Sequence, residues 1–257
     1  MFKIIFNYLP AFLQEIIINI TYDNDYNRRK FVFVKGLKIY LFLDRFNDLG
    51  KKIIKNEIYE NNTLDIIVEN IKSDSIFFDI GANEGYFSLI ASKINTNGFN
   101  YLFEPQVRLS KVIEINFSKN NISNYKLIPC AIGDNDYIKK LNLFPSLNSG
   151  ASSFLRKYRF SNKHEYVNVI SLDSFLKKNP KIFKIDLIKI DIEGFEINAV
   201  EGMKVTLRDR KIKNILIDYH LNIISQSDKE KCEKFIISCG YKKISGKYND
   251  YTLYKLD

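Results

Sequence analysis

Phe77-Phe78-Asp79-Ile80-Gly81-Ala82-Asn83-Glu84-Gly85-Tyr86-Phe87 joins an apolar run to two glycines and the start of a second apolar pattern. Ile76 to Ile80 is a short apolar run that stops at glycine, and Phe87, Ile90, Ala91 and Ile94 then recur at helical spacing. A buried strand thus runs through a glycine turn into a helix. In open α/β sheets, ligands bind just beyond the carboxyl ends of such strands. The pattern is Asp-x-Gly-x-x-x-Gly, not the Gly-x-Gly-x-x-Gly that closes on a pyrophosphate. A plain α/β turn with an incidental glycine pair is the weaker, structural alternative.

Beyond this stretch the alternation of strand and helix continues. Tyr101-Leu102-Phe103 is the next strand, Pro105 suits a helix start, and Tyr125 to Ile128 is a third strand. Residues 137–170 do not alternate cleanly and read as an insertion near the mouth of the site. Regular order resumes with a strand over Leu187 to Ile192, a helix over Glu196 to Leu207 and a strand at Ile215 to Ile217. Ser227 with Glu230 reads as a capping box, opening a helix whose core stripe is Cys232, Phe235, Ile236 and Cys239, and Gly240 ends it. Tyr241 to Ile244 and Tyr251 to Leu256 close the chain as two strands. The expected fold is α/β: a Rossmann-like, mainly parallel sheet with an antiparallel C-terminal strand. Upstream, residues 1–70 form an N-terminal extension packed on the core of 71–257, with a hairpin across Phe31 to Val34 and Lys38 to Leu41.

A second signal supports a ligand at the glycine turn. Glu104 ends the strand after Asp79, where a carboxylate can accept hydrogen bonds from ribose hydroxyls; its structural alternative is to stabilise the following helix. S-adenosylmethionine fits this pair: Gly81 and Gly85 allow close backbone approach, Asp79 can stand near the ammonium group, and Asn83 and Phe87 belong to the same loop. Cys130-Ala131-Ile132 follows the third strand, so Ala131 is placed at the adenine edge. The third signal is Lys189-Ile190-Asp191-Ile192-Glu193. Strand alternation puts Lys189, Asp191 and Glu193 on one face of what should be a continuously apolar central strand. Charges there cost stability unless paired or functional. A buried structural ion pair is the alternative to catalysis.

Composition narrows the class. The 257 residues carry a net charge of +9 and 46% apolar residues. Lysines are scattered with no long basic run, so the charge reads as biased composition rather than a nucleic-acid footprint. Cys130, Cys232 and Cys239 form no C-x-x-C, which points to a reducing, cytoplasmic setting; with His164 and His220 they make no zinc pattern. The first twenty residues are too polar for a membrane span and read as a helix packed on the domain, with peripheral membrane contact as the minority reading.

The sequence resembles the FkbM-type methyltransferase family over roughly residues 57–220. The resemblance rests on Tyr59-Glu60, Asp79 to Tyr86, Phe103-Glu104-Pro105, Ser171-Leu172-Asp173, Lys189 to Glu196, and Glu201-Gly202. It implies a Rossmann-like fold, S-adenosylmethionine as cofactor and O-methylation, with acceptors from sugar hydroxyls of surface polysaccharides to macrolides. The family pattern leads one to expect glutamate where this chain has Asp218. Asp191 is the first candidate base, with Glu193 and His220 behind it and Lys189 tuning Asp191. A divalent ion on Asp191 and Glu193 ranks below a metal-free site. The expected partner is a small-molecule or glycan acceptor. No N-P-P-Y or D-P-P-Y motif is present, which counts against methylation of base amino groups. Tyr59, Glu60 and Ser149 to Ser153 are expected to border the acceptor pocket. A nucleic-acid methyltransferase and a non-catalytic cofactor-binding protein on the same fold are the remaining alternatives.

Overall fold

A computed structural model describes residues 10, 13, 16, 25–144, 146–156, 163–244 and 251–257. The helix expected over the first twenty residues lies almost wholly outside them.

A 3-10 turn at Asp25–Arg28 leads into a hairpin, β1 (Arg29–Val34) and β2 (Ile39–Asp44), paired antiparallel as the sequence predicts. Helices α1 (Asp48–Asn56) and α2 (Asn61–Asn70) follow, and Asn47 caps α1 by accepting from the Gly50 N–H. The central units are β3 (Ile76–Ile80), α3 (Tyr86–Ile94), β4 (Phe99–Phe103), α4 (Val107–Lys119), β5 (Tyr125–Ile128) and β6 (Ala131–Ile132). Next come β7 (Tyr137–Asn142), β8 (His164–Ile170), α5 (Leu172–Lys178) and β9 (Ile185–Ile190). The chain ends with α6 (Glu196–Glu201), α7 (Lys204–Arg208), β10 (Ile212–Asp218), α8 (Gln226–Ser238), β11 (Tyr241–Ile244) and β12 (Tyr251–Leu256).

Seven strands form one sheet in the order β11-β12-β10-β9-β3-β4-β5. The pairs from β10 through β5 are parallel, and β12 runs antiparallel to β10. The chain winds outward from β3 to β5 and returns to β9 on the other side of β3. The topological switch therefore lies at β3 and β9, and the loops after these strands carry the Gly81 and Asp191 motifs. One apolar core, including Phe78, Ile188 and Ile215, covers one face. The other includes Phe77, Leu89 and Leu216 and takes in Val34 and Leu41 of the hairpin and Ile66 of α2. The irregular region after β5 forms its own three-stranded sheet, β6-β8-β7.

Three sequence expectations shift. The helix expected over Glu196 to Leu207 divides into α6 and α7. A Cβ on Gly202 would stand 1.8 Å from the Gly133 carbonyl oxygen, so backbone packs on backbone there. Asp173 then restarts the helix by accepting from the Val205 and Thr206 N–H groups, both at 2.9 Å. The Ser171-Leu172-Asp173 and Gly202 motifs thus meet each other rather than the cleft. The cap of α8 is Ser225, not Ser227: Ser225 Oγ accepts from the Asp228 N–H and donates to its carboxylate at 2.8 Å. Strand β9 stops at Ile190 rather than Ile192. Glu193 and Gly194 turn left-handed, with φ of 53° and 97°, and the Glu196 carboxylate accepts from the Ile192 and Gly194 N–H groups.

The hairpin is fastened to the glycine loop by charge. Glu84, fully buried, takes a bidentate pair from Arg29 with both contacts at 2.8 Å and a third bond from Asn47 at 2.6 Å. Arg28 pairs with buried Asp44 beside it. Removing one partner of such a pair strands a buried charge. Arg29→Ala is expected to cost about 3–5 kcal/mol, read as a lower urea midpoint at unchanged slope; a midpoint equal to wild type would remove this pair from the account of the fold.

Candidate active site

The cleft opens over the carboxyl ends of four adjacent strands, and each contributes an acid or a glycine. In sheet order these are Glu104 after β4, Gly81 after β3, Asp191 after β9 and Asp218 at the end of β10.

The β3–β4 half is built by backbone. Gly81 has φ of +82°, and a Cβ there would fall 2.0 Å from the Asp191 carbonyl oxygen. Only glycine lets the two strand ends lie this close. The Gly81 and Ala82 N–H groups donate to the Phe103 carbonyl at 3.0 and 3.1 Å, and the Asp191 N–H donates to the Ile80 carbonyl at 3.1 Å. Glu104 is buried and accepts from the Asn83 and Gln106 N–H groups, each at 2.9 Å. Burial outweighs these bonds and raises its carboxyl to about 7. Ile80, Phe103, Ala131, Ile132 and Leu141 supply apolar wall.

The β9–β10 half is acidic. Lys189 is buried between two carboxylates, 3.4 Å from Asp79 and 3.3 Å from Asp191. Burial opposes its charge, but Asp191, Asp79 and Glu60 hold it above the ordinary lysine range. Burial also opposes the charge on Asp191, yet Lys189 and His220, with hydrogen bonds from Lys189 and Tyr251, keep that carboxyl below its usual value. Tyr251 reaches two acids of this wall, 3.1 Å to Asp191 and 2.9 Å to Glu60. His220 Nδ1 lies 2.9 Å from Glu196, and Nε2 faces Glu193 at 3.6 Å, Asp218 at 3.8 Å and Asp191 at 3.9 Å. Burial acts to lower the His220 pKa, but the bond to Glu196 and the surrounding acids lift it to about 9. Asp218 is pushed up to about 7 by burial and by the Asp191 charge. Burial likewise raises Glu193, which also meets Arg156 at 3.5 Å.

Of the residues singled out in the sequence, Gly81, Asn83, Glu104, Ala131, Asp191, Glu193 and His220 line the cleft. Asp79, Gly85, Phe87 and Lys189 do not. Asp79 lies beneath the floor, bonded to Ser88 at 2.5 Å and to Lys189; Gly85 packs toward Ile113 and Phe117; and the Phe87 ring faces Lys189 at 5.4 Å. Tyr59, Glu60, Gly150 and Ser152 border the cleft, while the Ser149 side chain lies outside the described residues. Sequence reasoning passed over Tyr251 and gave Glu196 no role. Tyr251 carries no local signal, because only the pairing of β12 with β10 brings it to Asp191. Glu196 stood in the quoted motif, and a carboxylate just before a helical run was its signal. Among the described residues, Asp191, Asp218 and His220 are the acids and imidazole close enough to share a cation, with ligand atoms within 4.8 Å of one another. This is a different set from the Asp191 and Glu193 pair considered from sequence.

A parallel sheet whose strand order reverses at a glycine loop, with an acid one strand over, is the arrangement of a class I methyltransferase. The chain belongs to the FkbM methyltransferase family, whose domain model matches residues 79–243. It is similar to "Methyltransferase 1" of Beauveria bassiana, 23% identical over 60% of this chain and 68% of that protein. It is also similar to "Methyltransferase sdnD" of Sordaria araneosa, 22% identical over 59% and 68%. Among solved structures, a SAM-dependent O-methyltransferase from Thermotoga maritima aligns with a TM-score of 0.48 at 9% identity, covering 85% of this chain and 73% of that one.

The cofactor of this methyltransferase is S-adenosylmethionine, and the residues fit it. A buried carboxyl lifted by desolvation gains from hydroxyl donors, which ribose has, and an acidic cleft favours a sulfonium cation. Glu104→Ala is expected to weaken cofactor binding by about 1–3 kcal/mol in calorimetry. Gly81→Val is expected to abolish it by forcing the β3 and β9 ends apart. Full affinity in both variants would move the cofactor elsewhere.

Proposed function

We propose that the chain transfers a methyl group to a hydroxyl of a neutral sugar, in a surface glycan or a related small metabolite. The observation that carries this reading is the row of acids at the β9–β10 end of the cleft. Asp191, Glu193, Asp218 and Glu60 offer acceptors to a polyhydroxylated ligand and repel phosphate. That wall argues against nucleic acid, whatever the overall +9 charge.

The cofactor lies over β3 and β4 in this reading, held by the glycine loop and Glu104. The acceptor lies over β9 and β10. The methyl group reaches the protein already activated, so the main task is to align one hydroxyl with it. A sugar hydroxyl also needs a base, typically worth about 10²–10⁴-fold. Asp191 was the first candidate from sequence. Its pairing with Lys189 and Tyr251 keeps it ionised but makes it a weak proton acceptor. We assign Asp191 to face the sulfonium charge and to orient the hydroxyl. Asp218, with its carboxyl at about 7, is matched to take the proton near neutral pH. His220 stays protonated at neutral pH and holds Asp191, Glu193 and Asp218 together against their mutual repulsion.

The pH dependence follows from these two groups. Turnover should rise as the Asp218 carboxyl loses its proton near pH 7, and fall as His220 loses its proton near pH 9. The two limbs belong to the coupled cluster. Asp218→Asn should keep cofactor affinity, lower turnover by about 10²–10⁴ and remove the rising limb. The assay supplies labelled cofactor with uncharged glycosides and oligosaccharides, and an RNA panel alongside. Methylation of RNA and of no sugar would overturn the acceptor class; an unchanged rising limb in Asp218→Asn would overturn the base.

A further inference from the structure

The outer face of the β1–β2 hairpin is aromatic and unsheltered. Phe31, Phe33 and Tyr40 are 46%, 48% and 41% exposed. They are cross-strand neighbours: Phe33 stands opposite Tyr40 with ring centroids 4.9 Å apart, and Phe31 opposite Phe42 at 5.1 Å. The inner face carries Val34, Ile39 and Leu41 into the core. The hairpin therefore spends large apolar rings on solvent while its other side already satisfies the fold. Contiguous exposed apolar surface of this kind marks an interaction site.

The charges around it are mostly positive, with Glu57 near Gly36 at the hairpin tip and Glu114 beside Phe31 as the nearby acids. No aspartate or glutamate occurs between Tyr26 and Leu43. Lys35 and Lys38 are exposed at the hairpin tip. From α4, Lys119 stands 5.2 Å from the ring centres of both Phe31 and Tyr40, and Lys111 shares a shallow groove with Phe31. Glu114 is the single acid in that groove. Upstream in sequence, residues 1–20 carry apolar bursts at Ile4-Ile5-Phe6 and Ile16-Ile17-Ile18.

We propose that this aromatic face docks on an anionic lipid surface, with the rings in the headgroup layer and the lysines on lipid phosphates. Aromatic side chains fringed by lysine match that interface in both polarity and charge. The ring geometry favours lipid over single-stranded RNA. Base stacking needs an open ring face. Here the paired rings tilt at 43° against each other and Lys119 lies over two of them.

The test is sedimentation of the full chain with vesicles of phosphatidylcholine alone and of phosphatidylcholine mixed with phosphatidylglycerol. Binding is expected only to the anionic vesicles, falling as salt is added. The variant pair Phe31→Ser/Phe33→Ser and the variant pair Lys111→Glu/Lys119→Glu are each expected to lower partitioning by about tenfold or more. Circular dichroism and cofactor affinity should match wild type in both; the lysine pair, on an exposed helix face, keeps the test alive if the phenylalanine pair fails to fold. Three outcomes would overturn the proposal. One is no binding to either vesicle. Another is binding that both variants retain, which would assign it to residues 1–20 or to another surface. The last is a wild-type chain that uses this face for a second copy of itself or for RNA and leaves vesicles alone.

Discussion

The structure depends on a charged side chain placed where water cannot reach it. Lys189 lies on the second of the two central strands, and its register partner across the β3–β9 pair is Asp79. A one-residue slip would break that pairing and leave a lysine and an aspartate unpaired in the interior. The cost of an uncompensated buried charge is several kcal/mol, so the ion pair specifies register where apolar neighbours such as Phe78 and Ile188 would tolerate alternatives. The same lysine faces Asp191, the next outward acid. The pair thus ties the alignment of the sheet to the position of a carboxylate in the cleft.

Everything at the switch point follows from that alignment. With β3 and β9 in register, Gly81 meets the Asp191 carbonyl at a distance no Cβ survives, and the two loops diverge above that contact. The glycine loop turns toward β4 and Glu104. The Asp191 loop turns toward β10, where Glu196 holds its N–H groups on one side and His220 on the other. One half of the cleft is consequently backbone and apolar wall, and the other half is carboxylate. That division suits a reaction in which a cationic donor and a neutral hydroxyl acceptor meet edge to edge.

The N-terminal residues complete the site from outside the matched family region. Arg29 reaches into the glycine loop through Glu84, and Asn116 of α4 and Asn120, which caps that helix, bond to the backbone of Phe42 and Tyr40, so their amide side chains take the place of a neighbouring strand for β2. Glu60, in a left-handed conformation at the start of α2, joins the acid wall through Tyr251. Of the described non-glycine residues with positive φ, Glu60, Asn83 and Glu193 line this cleft, while Lys38, Glu57, Asn121 and Arg210 lie elsewhere.

The parallel sheet, the glycine turn, the acid at the end of β4, the closing strands and the buried cysteines were all legible in the amino-acid sequence. Each is written locally, in apolar periodicity, in a glycine at a strand end, or in a charge where burial should forbid one. It could also name Asp191, His220 and Lys189 as a group, since alternation and a strand end are local facts. Only the tertiary structure decided how those groups behave. Asp79 left the cleft because its register partner is a lysine. Glu193 joined His220 through a left-handed turn that strand alternation does not describe. Tyr251 reached Asp191 from sixty residues away by strand pairing. Protonation was decided in the same way: whether an acid is strong or weak depends on which charges the fold brings within a few ångströms, and spacing along the chain carries no record of that distance.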